Sequence, residues 1–191
     1  MRRIVSLEGL PCAGKTTFFD RYYKSHQNFV CVPELYIQMK KDDEGLDILD
    51  KYAKAEISKK LSIGEKNKNL LTDRSIISTF AFSYAKQKFT GDSTEHDFNR
   101  DFVGKCRDEI LIPTTAFVFD ITPQISIKRR EKVTRDDTLS LWCETGFLQH
   151  FSDYYRSDGL KSTFPNTEIY FVDTSRMDGS DIYDFISGKL G

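Results

Sequence analysis

The chain has 191 residues, with 28 Lys and Arg against 29 Asp and Glu and a formal net charge of −1. That length suits one domain with a sizeable core, spanning residues 1–191, and would crowd two full ones. Near-neutral charge excludes a generally basic coat for polymeric nucleic acid, and 39% hydrophobic with 13% aromatic residues excludes a disordered chain.

Five short apolar runs are continuous and not alternating, as expected of strands covered on both faces: Ile4–Leu7, Phe29–Val32, Leu70–Thr72, Ala116–Phe119 and Ile169–Val172. Helical spacing separates them. Leu46, Leu49, Tyr52, Ala53 and Ile57 predict a helix before the third strand, and Ile76, Ile77, Phe80, Ala81 and Tyr84 one after it. Phe147, Leu148, Phe151, Tyr154 and Tyr155 make a further face, and Ile182, Phe185, Ile186 and Leu190 close the chain. Strand–helix alternation without adjacent hairpin strands predicts a parallel sheet with helices on both faces. Ligands of such sheets sit at the carboxyl ends of the strands, which directs attention to the residues just after each one.

After the first strand, Gly9-Leu10-Pro11-Cys12-Ala13-Gly14-Lys15-Thr16 fits G-x-x-x-x-G-K-[ST] and opens a helix. Glycine lets the backbone turn tightly enough for successive N–H groups to face phosphate oxygens, and the helix adds its positive end. Gly9, Cys12, Ala13, Gly14, Lys15, Thr16 and Thr17 are therefore the candidate nucleotide-binding set. Lys15 is placed to reach the β- and γ-phosphates of ATP, and the Thr16 hydroxyl to hold Mg²⁺. As a lysine that holds ligand, Lys15 is expected to face solvent and to be replaceable by Ala with little change in melting temperature. GTPases, ATP-driven motors and small-molecule kinases all share such a loop.

The second strand runs into Val32-Pro33-Glu34, where the Glu34 carboxylate could accept the proton of an attacking hydroxyl, although a lone glutamate there is usually just solvated. The third ends in Asp73-Arg74-Ser75, with Ser78 one turn further on. Asp73 is the candidate second holder of Mg²⁺, and Arg74 a candidate to neutralise the transferring phosphoryl group. The alternative is structural: Asp73 caps the helix and Arg74 pairs with it at the surface. The fourth strand leads through Asp120-Ile121-Thr122-Pro123 to a helix carrying Lys128, Arg129 and Arg130, followed by Arg135. This cluster is either a solvated face or a lid, about 123–143, whose arginines Arg129, Arg130 and Arg135 close over ATP; an arginine aimed at the transferring group can bring roughly 10³–10⁵ in rate. After the fifth strand, Ser175 lies where adenine could rest. His26, His96 and His150 lack metal-ligand spacing, and Trp142 and Cys143 read as packing residues.

Together these motifs resemble the thymidylate kinase and deoxynucleoside kinase superfamily. Leu7-Glu8-Gly9 leading into Ala13-Gly14-Lys15-Thr16-Thr17 is similar to the family's opening. The run Asp73 to Phe82 resembles the Asp-Arg-Tyr helix of the first branch and the Glu-Arg-Ser helix of the second: Asp73 matches the former, Ser75 the latter and Ser78 both. Asp120 through Arg129 is similar to the strand, proline turn and lid entry of both branches. Arg129 and Arg135 fall where deoxynucleoside kinases place lid arginines, with Val133 at the site of an intervening one. Glu144, Phe147 and Tyr155 resemble the helix after a thymidylate kinase lid. The likeness runs from about residue 3 to 176 and is poor over 36–68. Glu34 stands where deoxynucleoside kinases carry a general base, whereas the acceptor-holding arginine of thymidylate kinases and the base-reading aromatic–glutamine pair have no evident counterpart.

The resemblance implies an α/β P-loop kinase fold, a three-layer sandwich with a five-stranded parallel sheet, helices on both faces and a lid. It implies transfer of the γ-phosphate of Mg·ATP to a nucleoside or nucleoside monophosphate. It also allows a homodimer, a frequent assembly in this family. A kinase of another small hydroxylated molecule, such as a modified nucleoside or an antibiotic, is the alternative. An NTP-dependent switch fits less well, since no guanine-reading Asn-Lys-x-Asp is present. No apolar run approaches the roughly 18 residues of a membrane span, Met1 to Val5 is too short for a signal-peptide core, and Cys12, Cys31, Cys106 and Cys143 form no Cys-x-x-Cys pair. The expected location is the cytoplasm, with no membrane partner.

Overall fold

The computed structural model describes residues 2–25, 28–34, 47–63, 68–131 and 140–190. Its strands are β1 (Ile4–Gly9), β2 (Phe29–Val32), β3 (Asn69–Asp73), β4 (Thr115–Asp120) and β5 (Glu168–Asp173). Its α-helices are α1 (Lys15–Ser25), α2 (Ile48–Ile63), α3 (Ile76–Thr90), α4 (Thr94–Cys106), α5 (Pro123–Arg130), α6 (Thr145–Tyr154), α7 (Asp158–Thr163) and α8 (Gly179–Leu190). All strand pairs are parallel, in the order β2-β3-β1-β4-β5. Strand β1 is central: Leu7 lies opposite both Asp73 of β3 and Phe117 of β4, and Gly9 opposite Phe119. The ends of β1 and β3 therefore lie side by side, and that juxtaposition assembles the site.

The three inner strands are buried on both faces, which accounts for their uninterrupted apolar runs. The outer strand β5 is only half covered, contrary to the expectation from its apolar run. Phe171 there is 39% exposed, and the Arg156 guanidinium lies 4.2 Å from its ring centroid while pairing with Asp120 at 2.6 Å. Helix α3 is clamped between sheet and α6, burying Ile76, Ile77, Phe80, Ala81 and Ala85, with Phe147, Leu148, Phe151 and Tyr154 buried on α6. Caps delimit these helices as their sequences dictate. The Ser75 hydroxyl accepts from the Ile77 N–H at the start of α3, and Gly91 ends it in the left-handed region with φ 82°. Thr122 caps α5 ahead of Pro123, and Ser157 caps α7. Helices α4 and α7 were not foreseen; α4 buries only Asn99, Phe102 and Val103, too sparse a stripe to read as a face.

Gly9 ends β1 with φ 113°, and a Cβ there would stand 2.4 Å from the Phe119 carbonyl oxygen on β4. Gly14 also has positive φ, 99°, but nothing lies within 4 Å of its missing Cβ. Gly9→Ala is therefore expected to cost at least about 3 kcal/mol, and Gly14→Ala roughly 1–2 kcal/mol from backbone strain alone. Urea denaturation of the two variants measures the difference; equal losses would show that close approach to β4 is not what demands glycine at position 9.

Candidate active site

The loop between β1 and α1 is held from outside by its own carbonyls. Ser126 Oγ donates to the Pro11 oxygen at 2.7 Å, Arg129 Nη1 to the Cys12 oxygen at 3.4 Å, and Thr174 Oγ1 to the Ala13 oxygen at 3.0 Å. Arg129 Nη2 also donates to the Thr174 carbonyl at 3.1 Å, closing the clamp. In a trans peptide each N–H points opposite the preceding carbonyl. Carbonyls of residues 11–13 pulled toward α5 and the end of β5 thus turn the N–H groups of Cys12, Ala13 and Gly14 the other way, as an anion cradle requires. The positive φ of Cys12, 56°, and of Gly14 makes that turn. Helix α1 begins immediately at Lys15, adding its N-terminal partial charge.

Lys15 does not face solvent, which corrects the expectation for this residue. Its side chain folds back beneath the loop and donates to the Gly9 and Leu10 oxygens at 3.1 and 2.6 Å, leaving the residue 5% exposed. Burial, and secondarily the Arg74 guanidinium, push its ammonium down to about 7, against the opposing pull of Asp73, Glu34 and Glu8.

Thr16 and Asp73 meet as expected of neighbouring strand ends: Thr16 Oγ1 donates to Asp73 Oδ2 at 3.0 Å. Asp73 Oδ1 is buried with no hydrogen-bond partner. A buried carboxylate oxygen left unpaired is costly unless a cation takes it, so hydroxyl and carboxylate together fit a Mg²⁺ ion. Among the described residues no three His, Cys, Asp or Glu side chains cluster as a self-sufficient metal site. A magnesium ion carried in on phosphates needs only one or two protein ligands.

Arg74 is the branch point of the site. Its Nε pairs with Glu34 Oε1 at 2.8 Å, and its Nη1 donates to the Gly9 oxygen at 3.2 Å and to Ser78 Oγ at 3.3 Å. Ser75, not Asp73, caps the helix, and Arg74 pairs with Glu34, not Asp73; the structural alternative for this pair of residues does not hold. Arg74 achieves this reach from a left-handed backbone, φ 63°, a conformation that costs a residue with a side chain about 1–3 kcal/mol.

Beneath lies Glu8, fully buried, whose two oxygens accept from Ser75 Oγ at 2.6 Å and from Ser78 Oγ. Desolvation raises its carboxyl above the ordinary range, while the two serines and Arg74 pull it back. Because Ser78 spends its proton on Glu8, the Tyr155 hydroxyl, 3.3 Å from Ser78 Oγ, donates to it and accepts from the Gly9 N–H at 3.2 Å. Sequence reasoning assigned no role to Glu8; its signal was a single carboxylate within an apolar strand. Ser126 and Thr174 had no local signal, because a hydroxyl's partner is decided by tertiary placement.

Of the remaining candidates, Arg129 and Arg130 form the last turn of α5, and Arg129 is engaged with the loop backbone. Thr17 is exposed in the first turn of α1. Ser175 is exposed beyond β5, with its N–H and hydroxyl both on Asp173 Oδ1, which holds that carboxyl below its usual range. Arg135 and Val133 lie outside the described residues.

No sequence-family model and no curated protein sequence matches this chain. Solved structures do match. Deoxyadenosine kinase from M. mycoides with the products dCMP and a flexible dCDP bound superposes with a TM-score of 0.67 at 18% identity, covering 98% of each chain. The same enzyme with bound dATP or with bound dCTP gives TM-scores of 0.66 and 0.64 at 17% identity, again over 98% of both chains. The chain thus has the fold of these P-loop deoxynucleoside kinases.

The depressed ammonium of Lys15 has a stability signature. Between about pH 7 and the ordinary lysine value of 10.5, the folded protein binds fewer protons than the unfolded chain at this position, so the contribution of Lys15 to stability rises with pH across that window and is lost as pH falls through 7. In metal-free buffer, the wild-type minus Lys15→Met difference in urea-derived stability is expected to shift in favour of wild type between pH 6.5 and about 9.5. A difference independent of pH would mean that the lysine is charged and solvated in the free protein.

Proposed function

We propose that this protein moves the γ-phosphoryl group of ATP to a hydroxyl of a nucleoside-like acceptor, with the whole chain acting as one kinase domain. The observation that carries this reading is the Glu34–Arg74 pair at 2.8 Å, set beside a phosphate loop built from Lys15, Thr16 and Asp73. A hydroxyl must lose its proton as it attacks, and a carboxylate at this point supplies the base. A phosphate acceptor needs no base and would be repelled by that carboxylate. The shared fold with deoxyadenosine kinases that have deoxynucleotides bound supports a deoxynucleoside as the first acceptor to test.

In this mechanism the acceptor oxygen forms its bond to Pγ as the bond from Pγ to the β-bridging oxygen breaks, and the acceptor proton passes to Glu34. Loop N–H groups hold the phosphates, and the Lys15 ammonium leaves the Gly9 and Leu10 carbonyls for phosphate oxygens. Arg74 lies between the base and the loop, where charge accumulates on the transferring group. Mg²⁺ held by Thr16 and Asp73 would neutralise charge on the β- and γ-phosphates. Arg129 keeps the cradle oriented through its carbonyl contacts, and Arg130 and Arg135 are assigned to the lid that covers ATP.

The test is ATP consumption with Mg²⁺ over deoxynucleosides, ribonucleosides and their monophosphates, with Lys15→Ala as blank. Turnover with nucleosides and a fall of about 10²–10⁴ in kcat for Glu34→Gln are expected. Turnover with monophosphates alone, or a Glu34→Gln variant with unchanged kcat, would sink the hydroxyl-acceptor reading.

A further inference from the structure

The Arg74 backbone is left-handed, and the helix that meets its carbonyl is α2. Lys59, three turns into that helix, is 2% exposed, and its Nζ donates to the Arg74 carbonyl oxygen at 3.2 Å. Lysine is among the side chains least often buried, and a long amine drawn wholly inside needs a reason. Glu56, one turn earlier on the same helix, is likewise only 3% exposed; burial drives its carboxyl up and the charge of Lys59 pulls it down. A buried lysine on a helix outside the phosphate loop thus ends on the one residue at the β3–α3 junction whose backbone is strained.

The other bonds at that residue show what the lysine adds. The Arg74 N–H is fixed to the Leu7 carbonyl of β1 at 3.0 Å, and Ser75 is fixed by Glu8 and by its capping bond to Ile77. The Arg74 carbonyl belongs to the peptide that joins strand to helix, and its direction is set by rotation about the strained residue. Holding that oxygen toward α2 holds the Cα–Cβ bond toward the loop. In that orientation one guanidinium reaches Glu34, the Gly9 oxygen and Ser78 together.

We propose that Lys59 is a positioning residue for phosphoryl transfer, acting through the Arg74 carbonyl to keep the Arg74 guanidinium between Glu34 and the phosphate loop. The proposal rests on the phosphotransfer reading for its kinetic consequence but not for its structural one, and the two are tested separately.

The first measurement is ¹⁵N NMR of the arginine Nε–H groups. Wild type is expected to show an Arg74 Nε–H signal slowed in solvent exchange by its bond to Glu34, assigned by its loss in Arg74→Lys. Lys59→Met, which fills the same volume without a donor, is expected to lose that protection, and Lys59→Arg to restore it. The second is kinetics with the acceptor found in the panel. Lys59→Met is expected to lower kcat by about 10–100-fold, the scale set by a misplacement on the order of 1 Å, with the affinity for MgATP within about twofold. In an Arg74→Lys background the same substitution is expected to cost nothing further, because its effect runs through the arginine.

Full Nε–H protection in Lys59→Met overturns the proposal, whether or not an acceptor has been found. So do effects of the two substitutions that multiply, or a Lys59→Met protein that only melts earlier while keeping wild-type kcat. A wild-type protein with no turnover on any acceptor, but whose Arg74 signal depends on Lys59, removes the phosphotransfer reading and leaves the positioning contact standing.

Discussion

The site depends on one carboxylate that never meets solvent. Glu8 lies at the end of the central strand with both oxygens engaged, one by the serine that caps α3 and one by the serine a turn later. A buried carboxylate is tolerated only with its lone pairs satisfied, so its presence dictates the geometry of everything that satisfies them. Ser75 cannot leave without uncapping α3. Ser78 cannot turn without releasing Arg74 and Tyr155, and Tyr155 in turn accepts the N–H of Gly9. The loop, the start of α3 and the end of α6 are registered against one another through a single buried group. Burial also pushes the Tyr155 phenol up, so this hydroxyl remains a neutral member of the network.

Much of this molecule was legible before its fold was known, for reasons that differ by element. The inner strands announced themselves because burial on both faces leaves an uninterrupted apolar run, as at Leu70–Thr72 and Ala116–Phe119. The loop between β1 and α1 was legible because its pattern is local: glycines, lysine and threonine fall within eight residues. What the sequence concealed is what depends on distant partners. Nothing in the neighbourhood of Glu34 announces that Arg74, forty positions later, will pair with it. Nor do Ser126 and Thr174 carry a local mark of the carbonyls they hold. Lys15 was misread in its surroundings: the pattern identifies the residue but does not say where its amine rests in the free protein. Helix α2 was legible as a helix, whereas the burial of Glu56 and Lys59 within it was not, since charged residues on a helix normally mark its wet face.

The outer strand shows the same limit from the other side. Ile169–Val172 reads as a doubly covered strand, yet Phe171 meets solvent with an arginine laid across its ring. That arginine also binds Asp120, the last residue of β4, and so ties the outer strand to its neighbour by a side chain.

The resting place of Lys15 bears on how the loop would meet an anion. With its ammonium already bonded to two backbone oxygens, the free loop does not offer a naked cation to the first anion that arrives. Taking up an anion through this amine would be an exchange of partners, driven by the difference between a neutral carbonyl and an ionised oxygen as acceptors of an ammonium's hydrogen bond. A ligand that brings weakly charged oxygens to the loop gains almost nothing from that exchange, whereas a polyphosphate gains at several atoms at once. The backbone partners of the lysine thus set a threshold of charge density that an anion has to exceed before it draws the amine away.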